Sequence, residues 1–376
     1  MNTQNSKSEY SGITPCGVNS PDFSLPVFYE KLKKNMTFPL GWKQDTADFA
    51  LWKKEARGKA SELMVWDRCT LPFNASVLAE EDRGTYTCRR IAFTVSSECR
   101  IPALLLVPKQ TPAAGRFPAA VFYHDHGGRF DIGKEKCIRP FKGSAMMPSA
   151  VEWTERLFDG RFIGDELAAR GWVVLCCDAL GWGERSCPGY RGDSQQALAS
   201  NLFNLGTSYA ALIAQDDVRT AEFLASLPYV DTNRIAAIGF SMGAFRAWQV
   251  SALTDCITAC AANCWMAAVK GLMIEGNNQL KGQSAFTMCH PGLLRYLDYP
   301  DIAGLAAPRP LIILAGETDH LFPPAAVQEA FHHLHDIYAG AGATDRLETC
   351  MMPGEHEFGI DRQEKIFSFL SGQFCL

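Results

Sequence analysis

The sequence predicts an α/β protein with a mostly parallel sheet of about eight strands, covered by helices on both faces. Short continuous apolar runs, such as 172–178 (WVVLCCD) and 310–315 (PLIILA), alternate with longer stretches in which apolar residues recur at helical spacing. The chain also carries enough apolar material for a sizeable core, because 47% of its 376 residues are hydrophobic and only 20% are charged.

Charge and composition argue against several classes of protein. The 36 basic and 41 acidic residues give a net charge of −5, with no block of lysine or arginine that would suit nucleic acid or an anionic membrane. No apolar run approaches the ~18 residues of a membrane span, and the polar N-terminus lacks the apolar core of a signal peptide. The 14 cysteines form no CxxC pair. We therefore expect a cytoplasmic protein with reduced, buried cysteines.

The N-terminal part of the chain is expected to be helical. Residues 1–75 are predicted to form a helical extension, and residues 76–376 the main domain. Apolar residues spaced three and four apart indicate an amphipathic helix over 46–66, with Asp45 or Thr46 as its N-cap.

Strands and helices alternate after this extension. The predicted strands are 86–96, 101–108, 118–123, 172–178, 234–240, 257–265, 310–315 and 347–352. The first two are expected at an antiparallel edge of the sheet. The predicted helices are one that ends at residue 170, then 205–227, 242–253, 325–338 and 362–370. Two insertions, 129–162 and 266–308, are long enough to be functional, and they are the candidates for a lid near the site.

One motif carries a chemical signal. Residues 239–243 read GFSMG, a G-x-S-x-G motif that ends a predicted strand and begins a predicted helix. This strand–turn–helix setting is that of a nucleophile elbow. In such a turn the hydroxyl of Ser241 projects above the sheet, and the N-terminus of the helix favours developing negative charge. Ser241 is therefore the candidate nucleophile.

A serine nucleophile needs a general base, and the base needs an orienting acid. Asp319 follows a predicted strand in the sequence GETD, with Glu317 as the alternative acid. His356 follows the last predicted strand, where the base is expected, and His290 is the leading alternative base. The order Ser241, Asp319, His356 along the chain matches the order of a triad in folds with a nucleophile elbow.

A tetrahedral oxyanion needs backbone N–H donors beside the nucleophile. Met242 is expected to supply one, because it directly follows the serine. The second is expected from the glycine-containing loop after the third strand, where Gly128 is favoured. His126, Trp182 and Trp265 are candidate residues of the substrate pocket, although plain packing explains Trp182 equally well.

Two clusters have a spacing that also occurs in metal sites. In residues 124–126 (HDH) the two histidines share one face of an extended segment, but no further ligands follow at a convincing spacing. We expect these side chains to form hydrogen bonds beneath the oxyanion loop. Cys256, Cys260 and Cys264 are four apart and are expected in the core. We expect neither a metal nor a cofactor.

Taken together, these motifs resemble those of an α/β-hydrolase over roughly residues 85–376. The chain is similar to the dienelactone hydrolase and acetyl xylan esterase branch, and within it to a bacterial carbohydrate esterase group. The likeness lies in HDHGGRFDIGKEK, in GFSMG with the AFRAWQ that follows, in GETD and in GEHEF. Ser241 departs from the cysteine of true dienelactone hydrolases, and Met242 from the glutamine that follows the serine in the best-known acetyl xylan esterases.

The resemblance implies an α/β-hydrolase fold and a catalytic domain over 76–376 that cleaves a carboxylic ester through an acyl-enzyme, such as an acetyl ester of a sugar. A lactone or thioester hydrolase with the same triad, an inactive binding scaffold and a peptidase are the alternatives. The filled triad argues against the scaffold, and the ~120 residues before the third strand are too few for the propeller of prolyl-oligopeptidase-like enzymes. The expected partner is a small-molecule ester substrate, and the oligomeric state stays open.

Overall fold

The computed structural model describes residues 25–46, 48–65, 68–110, 112, 115–186, 189, 194–274 and 284–376. The chain divides into two compact units between Thr37 and Phe38, and the first contains the helix α1 (Leu25–Lys34). The other described elements belong to the second unit. The predicted division into 1–75 and 76–376 stays a prediction. The helix α2 (Phe49–Met64), which belongs to the predicted extension, lies inside the second unit.

Within the described residues, the second unit is built on one sheet of nine strands, one more than predicted. The strands are β1 (Ser76–Asp82), β2 (Tyr86–Thr94), β3 (Arg100–Pro108), β4 (Phe117–Tyr123), β5 (Val173–Cys177), β6 (Val230–Phe240), β7 (Ala259–Asn263), β8 (Leu311–Gly316) and β9 (Leu347–Met352). Their spatial order is β1-β2-β3-β5-β4-β6-β7-β8-β9. The six strands from β5 to β9 in this order are parallel, whereas β1, β2 and β3 pair antiparallel with their neighbours.

Helices cover both faces of this sheet, as predicted. After α2 they are α3 (Met147–Leu157), α4 (Ile163–Ala169), α5 (Ser194–Asn204), α6 (Tyr209–Ser226), α7 (Met242–Leu253), α8 (Val269–Leu272), α9 (Ser284–Met288), α10 (Tyr299–Gly304), α11 (Pro324–Gly340) and α12 (Ile360–Phe374). Apolar side chains of α3, α4 and α12 form one continuous core with alternate residues of the strands. The helices α6 and α7 pack on β4 and β6 from the other face.

The strand order reverses at β4, which lies between β5 and β6. The connection after β4 therefore runs to β5 on one side, and the connection after β6 runs to β7 on the other side. The two connections diverge at the carboxyl ends of β4 and β6. Ligands of open parallel sheets bind outside the carboxyl ends of the strands at such a switch point. This position is occupied here by the loop 124–128, after β4, and by Ser241, after β6.

The start of α2 differs from the prediction. Asp48 is its N-cap, because the Oδ1 of Asp48 accepts a hydrogen bond from the Leu51 amide at 3.0 Å. The predicted caps Asp45 and Thr46 are therefore wrong. The pattern of apolar residues located the helix correctly, but several acceptors near its start were equally suitable in sequence.

The predicted helix over 205–227 is also shorter in the structure. α5 ends at Asn204, Gly206 adopts φ 81°, and α6 begins after Ser208, whose side chain accepts a hydrogen bond from the Ala211 amide at 3.0 Å. A left-handed glycine followed by a capping serine ends one helix and begins the next. The strand β1 was missed altogether, because it is a mostly exposed edge strand with an irregular register between Val77 and Ala79.

The two predicted insertions contain secondary structure of their own. Residues 129–162 hold a short 3-10 turn, Lys134–Lys136, and the helix α3. Residues 266–308 hold α8, α9 and α10, and their segment 275–283 lies outside the described residues. Neither insertion has the character of a bare loop, and their role as a lid stays a prediction. Within the described ranges, no helix has both the length and the apolar character needed to cross a bilayer.

Candidate active site

Ser241 lies in a strained turn between β6 and α7. Its backbone angles are φ 54° and ψ −126°, which a residue with a side chain rarely adopts. The Ser241 amide donates a hydrogen bond to the Asn263 carbonyl at 2.9 Å, and the Ser241 carbonyl accepts one from the Phe245 amide at 3.1 Å. These two bonds, one to β7 and one within α7, hold the turn in the strained conformation of an elbow.

The two glycines of the elbow are required by close backbone approaches. A Cβ atom on Gly239 would lie 2.0 Å from the carbonyl oxygen of Gly243. A Cβ on Gly243 would lie 1.8 Å from the carbonyl oxygen of Tyr123, at the end of β4. The absence of a side chain on Gly239 therefore lets β6 turn directly into α7, and its absence on Gly243 lets the start of α7 pack against the end of β4.

Gly243→Ala is expected to destabilise the fold by about 3 kcal/mol or more, because the new methyl group must displace backbone rather than a flexible side chain. Gly58→Ala is the matched control, since Gly58 lies within α2 and a Cβ there would meet no atom within 4 Å. The control is expected to stabilise the protein by about 0.5–1 kcal/mol. Chemical denaturation of both variants measures the two effects, and equal stabilities would contradict this account of the elbow.

A continuous chain of hydrogen bonds joins the three predicted triad residues. The Nε2 of His356 lies 2.8 Å from the Ser241 Oγ, and its Nδ1 lies 2.7 Å from the Asp319 Oδ2. The other oxygen of Asp319 accepts a hydrogen bond from the Leu321 amide at 2.9 Å. The His356 ring contacts the Phe240 ring at a centroid distance of 5.0 Å and is stacked with the Phe322 ring at 6.2 Å. This geometry allows proton transfer from the serine to the histidine.

The alternative acid and the alternative base lie elsewhere. Glu317 is exposed, whereas Asp319 is buried beside His356. His290 is buried, with its Nε2 3.2 Å from the Gln249 Oε1 and its ring stacked on Phe245. The structure therefore brings Asp319 and His356 to the serine and brings neither Glu317 nor His290 into that hydrogen-bonded chain.

Buried His290 gives a prediction about acid stability. Burial lowers the pKa of its imidazole to about 3 from an ordinary 6.5, so below pH 6.5 the unfolded chain binds a proton that the folded protein does not. The stability of the wild type relative to His290→Leu is expected to fall by about 1.4 kcal/mol per pH unit as the pH drops from 6 to 4.

Urea denaturation at several pH values measures this slope. His332→Leu is the control, because His332 is exposed on α11 and its replacement is expected to leave the slope unchanged. A constant difference between the wild type and His290→Leu over this range would show that His290 does not titrate as a buried neutral group.

The loop that carries His356 is held by a buried arginine that the sequence analysis missed. Arg362, on α12, donates hydrogen bonds to the carbonyl oxygens of Pro353, Glu355 and Glu357 at 2.7–3.0 Å. The Asn263 side chain donates to the Glu357 carbonyl as well, at 2.7 Å. No short motif signals this role, because the acceptors in this loop are backbone carbonyl groups, which every residue carries.

Cys264 adjoins the histidine and the aspartate. It has φ 58°, and its Sγ accepts a hydrogen bond from the Arg362 guanidinium at 3.0 Å. Cys264, Asp319 and His356 each offer an atom within 4.8 Å of the others, as metal ligands would. However, both ring nitrogens of His356 and the Asp319 Oδ2 are already engaged in the hydrogen-bonded chain with Ser241, and the Arg362 guanidinium lies against the Cys264 Sγ. Burial raises the pKa of the Cys264 thiol to about 12, and the prediction of Cys264 as a core residue agrees with its burial.

The loop after β4 contains the second predicted oxyanion donor. The amide of Gly128 donates a hydrogen bond to the Nδ1 of His126 at 3.1 Å, so it already has an acceptor within its own loop. Met242 is the first residue of α7, where amides have no acceptor within the helix. Both assignments of oxyanion donors stay predictions. Because the Gly128 amide already donates to the His126 Nδ1, the neighbouring amides of the loop are stronger candidates for the second donor.

Of the four ring nitrogens in the HDH run, only the buried His126 Nε2 has no hydrogen-bond partner among the described residues, so the run does not present a set of free ligands for a metal. The His124 Nε2 accepts a hydrogen bond from the Ala179 amide at 2.9 Å, and its Nδ1 donates to the Asp125 carbonyl at 2.9 Å. Burial holds the pKa of His124 well below its ordinary value, so the ring is neutral. Since the His126 Nδ1 is engaged by Gly128, these side chains stabilise the loop, in agreement with the hydrogen-bonding prediction.

The two predicted pocket tryptophans are completely buried. The Trp182 ring packs on His126 and Phe130 with centroids 5.0–5.1 Å apart, and its Nε1 donates to the His126 carbonyl at 3.2 Å. Trp265 packs against Phe322, the residue stacked on His356, at a centroid distance of 5.5 Å. Both rings therefore pack against residues that contact the site, and neither ring is exposed to solvent. Their assignment to the substrate pocket, like that of His126, stays a prediction.

A parallel sheet with a serine on a strained strand–helix turn, an aspartate after β8 and a histidine after β9 is the architecture of an α/β-hydrolase. The model of the Abhydrolase family matches residues 25–336. Because this match covers most of the chain, the protein belongs to the Abhydrolase family. The resemblance inferred from the motifs is thus confirmed at the level of family and fold.

Relatives and solved structures support the same assignment of fold. The chain is 28% identical over 296 residues to YtaP of Bacillus subtilis (strain 168), which carries a provisional hydrolase name, and the alignment covers 78% of this chain and 91% of YtaP. A provisionally named acetyl xylan esterase from Bacteroides fragilis NCTC 9343 superposes with a TM-score of 0.69 at 17% identity, covering 88% of this chain and 82% of that one. A glucuronoyl esterase from Solibacter usitatus gives a TM-score of 0.62 at 15% identity, covering 90% and 98%.

Proposed function

We propose that this protein is a serine hydrolase that cleaves carboxylic esters through an acyl-enzyme formed on Ser241. The observation that carries the proposal is the hydrogen-bonded chain from Ser241 through His356 to Asp319, at 2.8 Å and 2.7 Å. Membership of the Abhydrolase family supports the same chemistry.

In the first half-reaction the Ser241 Oγ attacks the ester carbonyl while the His356 Nε2 takes the hydroxyl proton. Asp319 accepts a hydrogen bond from the Nδ1–H of His356. This hydrogen bond fixes the tautomer of the imidazole and stabilises the imidazolium. The tetrahedral intermediate then breaks its bond to the alcohol oxygen, and His356 gives that oxygen the proton. The alcohol leaves, and the acyl group remains on the serine.

In the second half-reaction a water molecule takes the place of the alcohol. His356 removes one proton from the water as its oxygen attacks the acyl carbonyl. The second tetrahedral intermediate expels the Ser241 oxygen, which receives that proton from His356. The products are the free acid and the original serine. The amide of Met242 is proposed as an oxyanion donor in both half-reactions.

The proposed substrate is a small acyl ester of a carbohydrate. Two of the solved structures with this fold carry acetyl xylan esterase and glucuronoyl esterase names, and both substrates named there are carbohydrate esters. The Phe322 and Phe240 rings beside His356 suit a compact acyl group next to the serine. A lactone or thioester would use the same three residues and is the alternative outcome of the test.

Initial rates on p-nitrophenyl acetate, butyrate and octanoate test this proposal, with acetylated sugars next. We expect turnover of acetate that falls with chain length, together with labelling of Ser241 by a fluorophosphonate. Labelling without turnover of any of these esters would favour lactones or thioesters. A folded protein that shows neither labelling nor turnover would contradict the proposed function.

A further inference from the structure

We propose that Lys136 is a positioning residue for the oxyanion loop, and that it turns the amides of His126 and Gly127 toward the reacting oxygen. This inference rests on the proposed function, since it assigns a role in the same reaction. Lys136 lies in a 3-10 turn ten residues beyond His126, and its side chain is completely buried.

Three successive carbonyl groups of the loop bind buried cations. The Lys136 Nζ donates hydrogen bonds to the carbonyl oxygens of Asp125, at 2.9 Å, and His126, at 3.0 Å. The carbonyl before them, that of His124, accepts a hydrogen bond from the Arg246 guanidinium at 3.2 Å. Arg246 lies on α7, five residues after Ser241, and is paired with a buried carboxylate on α6. The nucleophile helix and the buried lysine therefore hold consecutive peptides of the same loop.

The orientation of the amides follows from the planarity of the peptide bond. The C=O and N–H of one trans peptide point in opposite directions. Because the carbonyls of Asp125 and His126 point at Lys136, the amides of His126 and Gly127 point away from this buried side chain. Gly127 is exposed, so that direction leads out of the protein interior. Successive amides presented on one side of a loop form a concave site for an anion.

These amides are also available. No hydrogen bond of the described residues has the amide of His126 or Gly127 as its donor. The amide of Gly128, in contrast, donates to the His126 Nδ1. The loop lies beside the nucleophile, because a Cβ on Gly243 would contact Tyr123 and His124 directly. Unpaired amides next to Ser241 are the donors that an oxyanion needs.

Further contacts give the lysine a fixed place beneath the loop. Its Nζ lies 3.4 Å from the Asp125 Oδ2 and 4.9 Å from the centroid of the Trp153 ring. The Trp153 Nε1 donates to the other oxygen of Asp125 at 3.1 Å. A Cβ on Gly127, which has φ 52°, would collide with Trp153 at 2.2 Å. Lys136 and Trp153 together leave the loop one conformation, with its carbonyls facing inward.

The test uses Lys136→Met, which keeps the length of the side chain and removes its three donors. The variant is expected to fold, because each carbonyl retains a second donor: the His124 Nδ1 for Asp125, and the Trp182 Nε1 for His126. Lys136→Arg is the conservative variant, since it keeps the charge. Lys53→Met is the matched control: Lys53 also donates to a carbonyl, that of Ala307, at the amino end of β8 and far from the serine.

Two constants are measured per active site, after titration of Ser241 with a fluorophosphonate: kcat/KM for p-nitrophenyl acetate, and the inhibition constant of a boronic acid that forms a tetrahedral adduct on the serine. We expect Lys136→Met to lower kcat/KM by about 10²–10³-fold and to weaken the boronic acid in parallel, as for loss of an oxyanion donor. Lys136→Arg is expected to restore part of both effects. Lys53→Met is expected to change stability only.

Three outcomes would overturn the inference. One is a Lys136→Met variant whose two constants stay within about threefold of the wild type. Another is a loss of kcat/KM without weaker binding of the boronic acid, which would place the defect outside the oxyanion site. The third is a variant with no titratable serine, since the lysine would then serve folding. A wild-type protein that neither reacts with the phosphonate nor hydrolyses the ester would instead contradict the proposed function.

Discussion

Replacing Ser241 with alanine is expected to lower kcat for ester hydrolysis by about 10⁶-fold, the loss typical of a nucleophile that acts as one unit with its base. The hydroxyl oxygen is the only atom removed, and it is the atom that lies 2.8 Å from the His356 Nε2. Residual turnover would come from binding and from the oxyanion donors alone. The measurement is kcat on p-nitrophenyl acetate with purified variant protein.

Ser251→Ala is the control for this experiment. Ser251 lies on the same helix, α7, is buried, and donates its hydroxyl to the Ala247 carbonyl at 3.0 Å. Its replacement removes a buried serine hydroxyl of the helix without touching the hydrogen-bonded chain, so kcat is expected to stay near the wild-type value. Comparable activity of Ser241→Ala and Ser251→Ala would exclude Ser241 as the nucleophile.

Replacing Asp319 with asparagine is expected to lower kcat by about 10⁴-fold. The carboxylate accepts a hydrogen bond from the His356 Nδ1 at 2.7 Å. An amide group can present its N–H₂ there instead, which would favour the tautomer that carries its proton on Nε2. That tautomer cannot accept the Ser241 proton. The loss should appear in kcat at neutral pH, with little change in thermal stability because the side chain keeps its shape.

Glu317→Gln is the matched control, because Glu317 is the exposed acid two residues earlier in the same loop. Its kcat is expected to remain at the wild-type level. If Glu317→Gln lost activity and Asp319→Asn kept it, the orienting acid would be Glu317, which lies outside the hydrogen-bonded chain. That result would contradict the assignment of Asp319.

The hydrogen-bonded chain of Ser241, His356 and Asp319 could be predicted because each of these residues follows a strand that the sequence indicates. The strands before Ser241 and Asp319 end in continuous apolar runs, at 235–240 and 311–315, and the strand before His356, LETCMM, follows a predicted helix. The parallel arrangement of the three strands brings their carboxyl ends to one edge. The G-x-S-x-G motif could be interpreted as a nucleophile elbow because a predicted strand precedes it and a predicted helix follows it. Choosing Asp319 over Glu317 was possible because of its greater distance from the strand.

The contacts that hold these residues could not be predicted. Arg362 and Lys136 act on backbone carbonyls, and every residue has a carbonyl, so no side-chain pattern marks their targets. β1 was missed because an edge strand needs no continuous apolar run. The helix break at Gly206 was missed since apolar residues recur on both sides of it. Long-range hydrogen bonds and the edge strands of a sheet are set by tertiary structure. The local spacing of apolar residues in the sequence does not indicate them.

The three residues of the hydrogen-bonded chain come from the ends of β6, β8 and β9, and Ser241 is separated from His356 by 115 positions. During synthesis, the proposed nucleophile Ser241 is therefore made long before the proposed base His356. Under the proposed function, Ser241 gains its base only when β9 has joined the sheet and Arg362 of α12 holds the loop of His356. Labelling of Ser241 by a fluorophosphonate would thus report that the strands from β6 to β9 have assembled. A measurement of secondary structure content would not report this assembly.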